Sequence, residues 1–168
     1  MRLLAFLLLA VATLAGCSFA SIDECPNPDN VFGASVGSRA VPAECVYARA
    51  IPNGTGGLIL GVQTSYDQFD FDRTGTLGPR ENEGMNLTIF GAETGQTYDL
   101  DGRIDLDFGD PIPEAAAVLT YFTPEGLEAF ADGGSVTLTS ITESSASGTF
   151  TTTFNGDSES TGTFTVSL

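Results

Sequence analysis

From residue 147 to the end of the chain, the large apolar side chains keep to even positions. Phe150 and Phe154 come first, then Phe164, Val166 and Leu168, with threonine and serine filling most odd positions between them. A period of two belongs to a strand, whose successive side chains point to opposite faces; a helix at 3.6 residues per turn cannot hold such a set on one side. Ser147-Gly148-Thr149-Phe150-Thr151 recurs fourteen positions later as Thr161-Gly162-Thr163-Phe164-Thr165, with Asn155-Gly156 between the copies. The repeat is short and occurs once, so it reads as the two arms of a hairpin and not as a solenoid. An even loop would split the phenylalanines between faces. A three- or five-residue loop keeps them together, and the five-residue version sets Phe150 against Phe164.

The rest of the chain follows the same grammar. Short runs rich in Thr, Val and Phe are separated by Gly, Asn and Asp, which predicts strands over 31–36, 44–51, 57–63, 65–72, 85–91, 97–100, 103–108, 135–141, 147–154 and 162–168. Residues 115–122 open on Glu114-Ala115-Ala116-Ala117, which suits a helical turn, but Val118-Leu119-Thr120-Tyr121-Phe122 favours a strand. One short helix is expected over 124–131, where Thr123-Pro124-Glu125 has the order of an N-cap, a first-turn proline and a first-turn acid. At Asp101-Gly102 a three-residue loop would pair Leu100 with Ile104 and Tyr98 with Leu106, making one face apolar and setting Asp99 opposite Asp105. The predicted fold is all-β: an antiparallel β-sandwich, immunoglobulin-like or related, with at most one short helix.

The N-terminus speaks to compartment. Residues 1–16 carry one cation, Arg2, then an apolar run that is too short to span a bilayer, which needs about 20 residues. A charged start, a short apolar core and small residues at its end mark an export signal. Leu14-Ala15-Gly16-Cys17 follows and resembles the lipobox of bacterial lipoproteins. The resemblance implies cleavage before Cys17, a diacylglycerol on its thiol and a stable lipid anchor. Ser18 stands where the family's inner-membrane retention signal would be Asp, which implies the outer membrane in a Gram-negative cell. The expected organisation is a signal peptide over 1–16, a lipidated tether over 17–30 and a β-sandwich domain over 31–168. Removing 16 of the 168 residues leaves 152, enough for one domain with a sizeable core.

Two further cysteines remain, Cys25 and Cys45, and in an oxidising compartment an isolated pair is read first as a disulfide. The chain has 22 acidic residues against six Arg, with no Lys and no His. Arg2 leaves with the signal, so the mature balance is five against 22, or −17. Such a chain has no basic patch for nucleic acid, and its acidity suggests adaptation to salt. The absence of His excludes a Ser-His-Asp triad and His-ligated zinc. The absence of Lys excludes a P-loop. Paired carboxylates remain, but an acidic chain supplies these by chance, and no enzyme is expected.

One stretch has metal-ligand spacing. Asp70, Asp72, Thr74, Thr76 and Glu81 occupy positions 1, 3, 5, 7 and 12 of an EF-hand-like pattern, with Gly75 at position 6. Calcium is the one candidate cofactor. The flanks read as strand and loop instead of helices, and Pro79 lies inside, so a solvated acidic loop is the competing reading. Asp99, Asp101, Asp105 and Asp107 form a second acidic set, read mainly as a polar outer face. Tyr47, Tyr66, Tyr98 and Tyr121 are read as packing residues before a sugar platform.

Several stretches together resemble an uncharacterised family of small β-sandwich lipoprotein domains of Bacteroidota-type bacteria. They are Phe32-Gly33-Ala34-Ser35-Val36-Gly37, Gly95-Gln96-Thr97-Tyr98-Asp99-Leu100, Gly134-Ser135-Val136-Thr137-Leu138-Thr139 and the two Gly-Thr-Phe triplets. Where that family often has a Trp after the first hairpin, this chain has Val41. The resemblance implies no catalytic residues. The expected function is a non-catalytic cell-envelope lipoprotein with a structural or binding role at the bacterial surface. Its expected partners are the membrane, through the lipid, and an envelope protein or glycan. A calcium- or carbohydrate-binding surface module is the alternative, and a small carboxylate-based hydrolase the third reading.

Overall fold

A computed structural model describes residues 25, 27–43, 45–54, 57–64, 83–102, 113–125, 127–156 and 158–168. Ten strands follow in chain order: β1 (Val31–Val36), β2 (Arg39–Ala40), β3 (Val46–Pro52), β4 (Leu58–Thr64), β5 (Gly84–Phe90), β6 (Thr97–Asp101), β7 (Ala116–Phe122), β8 (Glu128–Ile141), β9 (Ser145–Phe154) and β10 (Ser158–Ser167). Among the described residues there is no helix, and every strand pair is antiparallel. The spatial order is β2-β1-β10-β9-β8-β7-β5-β4-β3: consecutive strands are neighbours except where β1 joins β10 and β7 joins β5, and β6 is added to β8 beside that path. The sheet curls on itself, giving the sandwich-like all-β fold predicted from the alternation.

The curl is made in β8. Its first residues, Phe130 among them, pair with β7, and from Asp132 onward the same edge pairs with β6. The register shifts between Ala131 and Gly133, so Asp132-Gly133-Gly134 is a bulge through which one strand passes from layer to layer. Gly134 has φ +105°, and a Cβ there would lie 2.1 Å from the Thr151 carbonyl oxygen; no other residue fits.

Facing strands then pack by alternating large with absent side chains. The β9–β10 loop has three residues, since Phe154 pairs with Ser158. Phe150 therefore faces Gly162, and Phe164 faces Gly148. Each ring lies over the opposite glycine: a Cβ on Gly162 would meet Phe150 Cζ at 2.3 Å, and one on Gly148 would meet Phe164 Cζ at 2.6 Å. Phe32 of β1 closes the group, with its ring centroid 5.7 Å from Phe150 and 6.4 Å from Phe164. Leu60, Val62, Leu87, Ile89 and Leu119 supply the other layer and are fully buried. Asn30, just before β1, links β3 to β10, donating from Nδ2 to the Val46 carbonyl and accepting from the Ser167 amide. The Cys25–Cys45 disulfide forms as predicted and closes the segment holding β1 and β2, with Cα atoms 5.4 Å apart.

The helix expected over 124–131 is not there. The Thr123 amide donates to the Leu127 carbonyl, and the Leu127 amide to Thr123 Oγ1, so the Thr-Pro-Glu sequence opens a hairpin turn and β8 begins at Glu128. Of residues 115–122, those from Ala116 to Phe122 form strand β7, and Ala115 lies in the bend before it. The strands expected over 65–72 and 103–108, with the proposed Asp99–Asp105 pairing, lie outside the described residues.

Candidate functional site

Where β6 and β7 part, the surface opens into a groove of about 370 Å³. One wall is Gln96, Thr97, Tyr98 and Asp99; the other is Ala115, Ala116 and Ala117. The opening follows from pairing lengths. All seven residues of β7 pair with β5, but only Thr120, Tyr121 and Phe122 pair with β8 before β8 turns into the other layer. The bond from the Thr123 amide to the Leu127 carbonyl sets the parity, which points the backbone groups of Ala117 and Leu119 to the β8 side of the strand, where both residues are buried. On β6, the Gln96 carbonyl accepts from the Leu138 amide. Thr97 and Asp99, one step out of phase, turn their backbone groups away from β8.

Both walls are held at Gly91. Tyr98 donates its hydroxyl to the Gly91 carbonyl at 2.7 Å and accepts from the Glu93 amide at 2.9 Å, tying β6 to the end of β5. Burial pushes the Tyr98 hydroxyl pKa up, so it stays a neutral donor. Gly91 has φ +63° and presses on the start of the other wall: a Cβ there would fall on the Glu114 carbonyl. Asp99, Glu93 and Glu114 are exposed around the groove, giving its rim a negative field.

A second polar group closes the sandwich elsewhere. Arg39 of β2 reaches Glu83, just before β5, at 2.6 Å, and Tyr121 of β7 donates to the other Glu83 oxygen at 2.6 Å. The Glu83 side chain is 7% exposed and Arg39 59%. Burial first, and then the hydrogen bond to Glu83 and its charge, push the Tyr121 pKa up to about 12. Both Glu83 oxygens are engaged, so this cluster joins layers and offers no free base. The outer face of the other layer carries a row of threonines, Thr97, Thr137, Thr149 and Thr163, on neighbouring strands. Below it run Ser135, Thr151 and Thr161.

Cys17 and the calcium set Asp70, Asp72, Thr74, Thr76 and Glu81 lie outside the described residues, as do Asp105 and Asp107. Asp99 borders the groove, and Asp101 pairs with Asp132 across the β6–β8 ladder. Among the described residues no group of three or more His, Cys, Asp or Glu side chains could hold a metal ion. Tyr47, Tyr98 and Tyr121 are buried and form no sugar platform. Sequence reasoning missed the groove; its trace is the Ala115-Ala116-Ala117 run, a strand edge without bulk or charge. Comparison with protein-family models, curated proteins and solved structures finds no match.

Proposed function

We propose that this chain is a non-catalytic cell-envelope lipoprotein, anchored by lipid on Cys17, whose β-domain binds a partner at the bacterial surface. The observation that carries the reading is Leu14-Ala15-Gly16-Cys17 behind a charged, apolar start. The Cys25–Cys45 bridge suits an exported protein. Glu83 and Asp132 both serve as internal acceptors, which favours a scaffold over a carboxylate-based hydrolase. Expression of the full chain in a bacterium fed labelled palmitate tests the anchor. The wild type is expected in the membrane fraction with label, and Cys17→Ala without label and largely released. Equal, unlabelled behaviour of the two would overturn it.

A second reading has its own support. The uncharged threonine and serine rows stand out in a chain with 22 acids, and they suit a neutral glycan. Calcium at Asp70, Asp72, Thr74, Thr76 and Glu81 rests on spacing alone; calorimetry tests it, and no heat at millimolar Ca²⁺ removes it.

A further inference from the structure

We propose that Asn155 is a site of spontaneous covalent modification: its side-chain amide is lost through attack by the Gly156 backbone nitrogen, and the Asp132 carboxylate sets how fast this happens.

Asparagine is a thermolabile residue. Its loss of ammonia needs the next backbone nitrogen to reach the side-chain carbon, and a following glycine, without a Cβ, obstructs that approach least. The chain has two Asn-Gly pairs, Asn53-Gly54 and Asn155-Gly156, and the fold treats them differently. Asn53 is buried, and its Oδ1 accepts from the Gly57 amide at 2.9 Å, which holds the carboxamide inside the turn between β3 and β4. Asn155 and Gly156 are both exposed. They turn the chain between Phe154 and Ser158 at φ +54° and +73°, the left-handed region that Asn and Gly enter most readily. Nothing lies within 4 Å of the place where a Gly156 Cβ would be, so a ring formed there meets no neighbour.

The step balances within the chain and water. The Gly156 nitrogen bonds to Asn155 Cγ, and the Cγ–Nδ2 bond breaks. The Gly156 proton leaves with Nδ2 as ammonia, and a cyclic imide remains. Water then opens either imide carbonyl, giving aspartate or its β-linked isomer.

The reacting nitrogen is the one that Asp132 holds. Its N–H donates to Asp132 Oδ2 at 2.6 Å, and Thr153 Oγ1 donates to Oδ1 at 2.8 Å. Attack requires that nitrogen to give up its proton, which breaks the bond and builds negative charge beside a carboxylate. Like charges so close repel, so Asp132 is a brake on the reaction.

The test incubates the folded full chain in mildly alkaline buffer and follows each asparagine by peptide mass spectrometry, with fragmentation that separates aspartate from its β-linked isomer. Asn155 is expected to convert ahead of Asn53 and Asn86, giving both isomers. Asp132→Ala should speed conversion several-fold. Thr153→Val loosens the same bend but keeps the carboxylate, and should convert at the wild-type rate. Conversion of Asn53 or Asn86 first would overturn the proposal, as would an intact Asn155 while a denatured sample of the same chain converts. So would an unchanged rate in Asp132→Ala, or equal acceleration in Thr153→Val.

Discussion

At the scale of single residues, the fold turns on places where a side chain is missing. Gly162 and Gly148 lie beneath Phe150 and Phe164, and an added Cβ has no free volume. Gly162→Ala is expected to cost about 1–3 kcal/mol by overpacking, read as a lower urea midpoint with an unchanged slope. The opposite sign is expected at Ser160, whose hydroxyl is buried without a hydrogen-bond partner among the described residues. Ser160→Ala should be neutral or stabilise by about 1 kcal/mol, because it removes an uncompensated polar group. Tyr121 makes a pH prediction. Its folded pKa, raised to about 12 from 10.0, means that the fold keeps a proton which the unfolded chain has lost. That contribution, up to about 2 kcal/mol, is complete below pH 10 and vanishes as pH climbs through 12. Tyr121→Phe should flatten the fall in melting temperature across that window, and an unchanged slope would contradict the assignment.

At the scale of elements, β8 decides the architecture. Asp132, in its bulge, accepts from Thr153 Oγ1 at 2.8 Å and from the Gly156 amide at 2.6 Å, fastening the bend to the β9–β10 turn. Asp132→Ala is expected to cost about 1–2 kcal/mol and to speed amide exchange at Gly156 more than at Leu60. The same element marks how far the sequence could be read. Residues 31–36 were legible to the residue, because alternation ends at Gly37-Ser38. The Phe150–Phe164 parity argument correctly demanded an odd loop. Asp132-Gly133-Gly134 reads locally as a turn, so the predicted strand started at residue 135; pairing on both edges carries it through the bulge. Thr123-Pro124-Glu125 has helix-start chemistry, but only the residues 123–127 lie between Phe122 and its strand partner Glu128, too few for a helix to form. The groove was not legible, since it exists only because β7 outlasts its pairing with β8, a difference between three strands that no local pattern records.

At the scale of the whole molecule, charge sets the behaviour. With a formal charge of −16, self-repulsion opposes the compact state, and screening relieves it. Melting temperature should therefore rise with NaCl, and a salt-independent value would contradict the adaptation. Reducing the Cys25–Cys45 bridge frees a 20-residue separation and should lower stability by about 3 kcal/mol on the chain-entropy model. The central claim is that this domain is displayed from a membrane by its first mature residue. Intact and N-terminal peptide mass spectrometry of protein taken from the membrane fraction tests it most directly. The account predicts a chain beginning at Cys17 and carrying a diacylglyceryl group. A chain retaining Met1, or cut elsewhere with an unmodified Cys17, would contradict it.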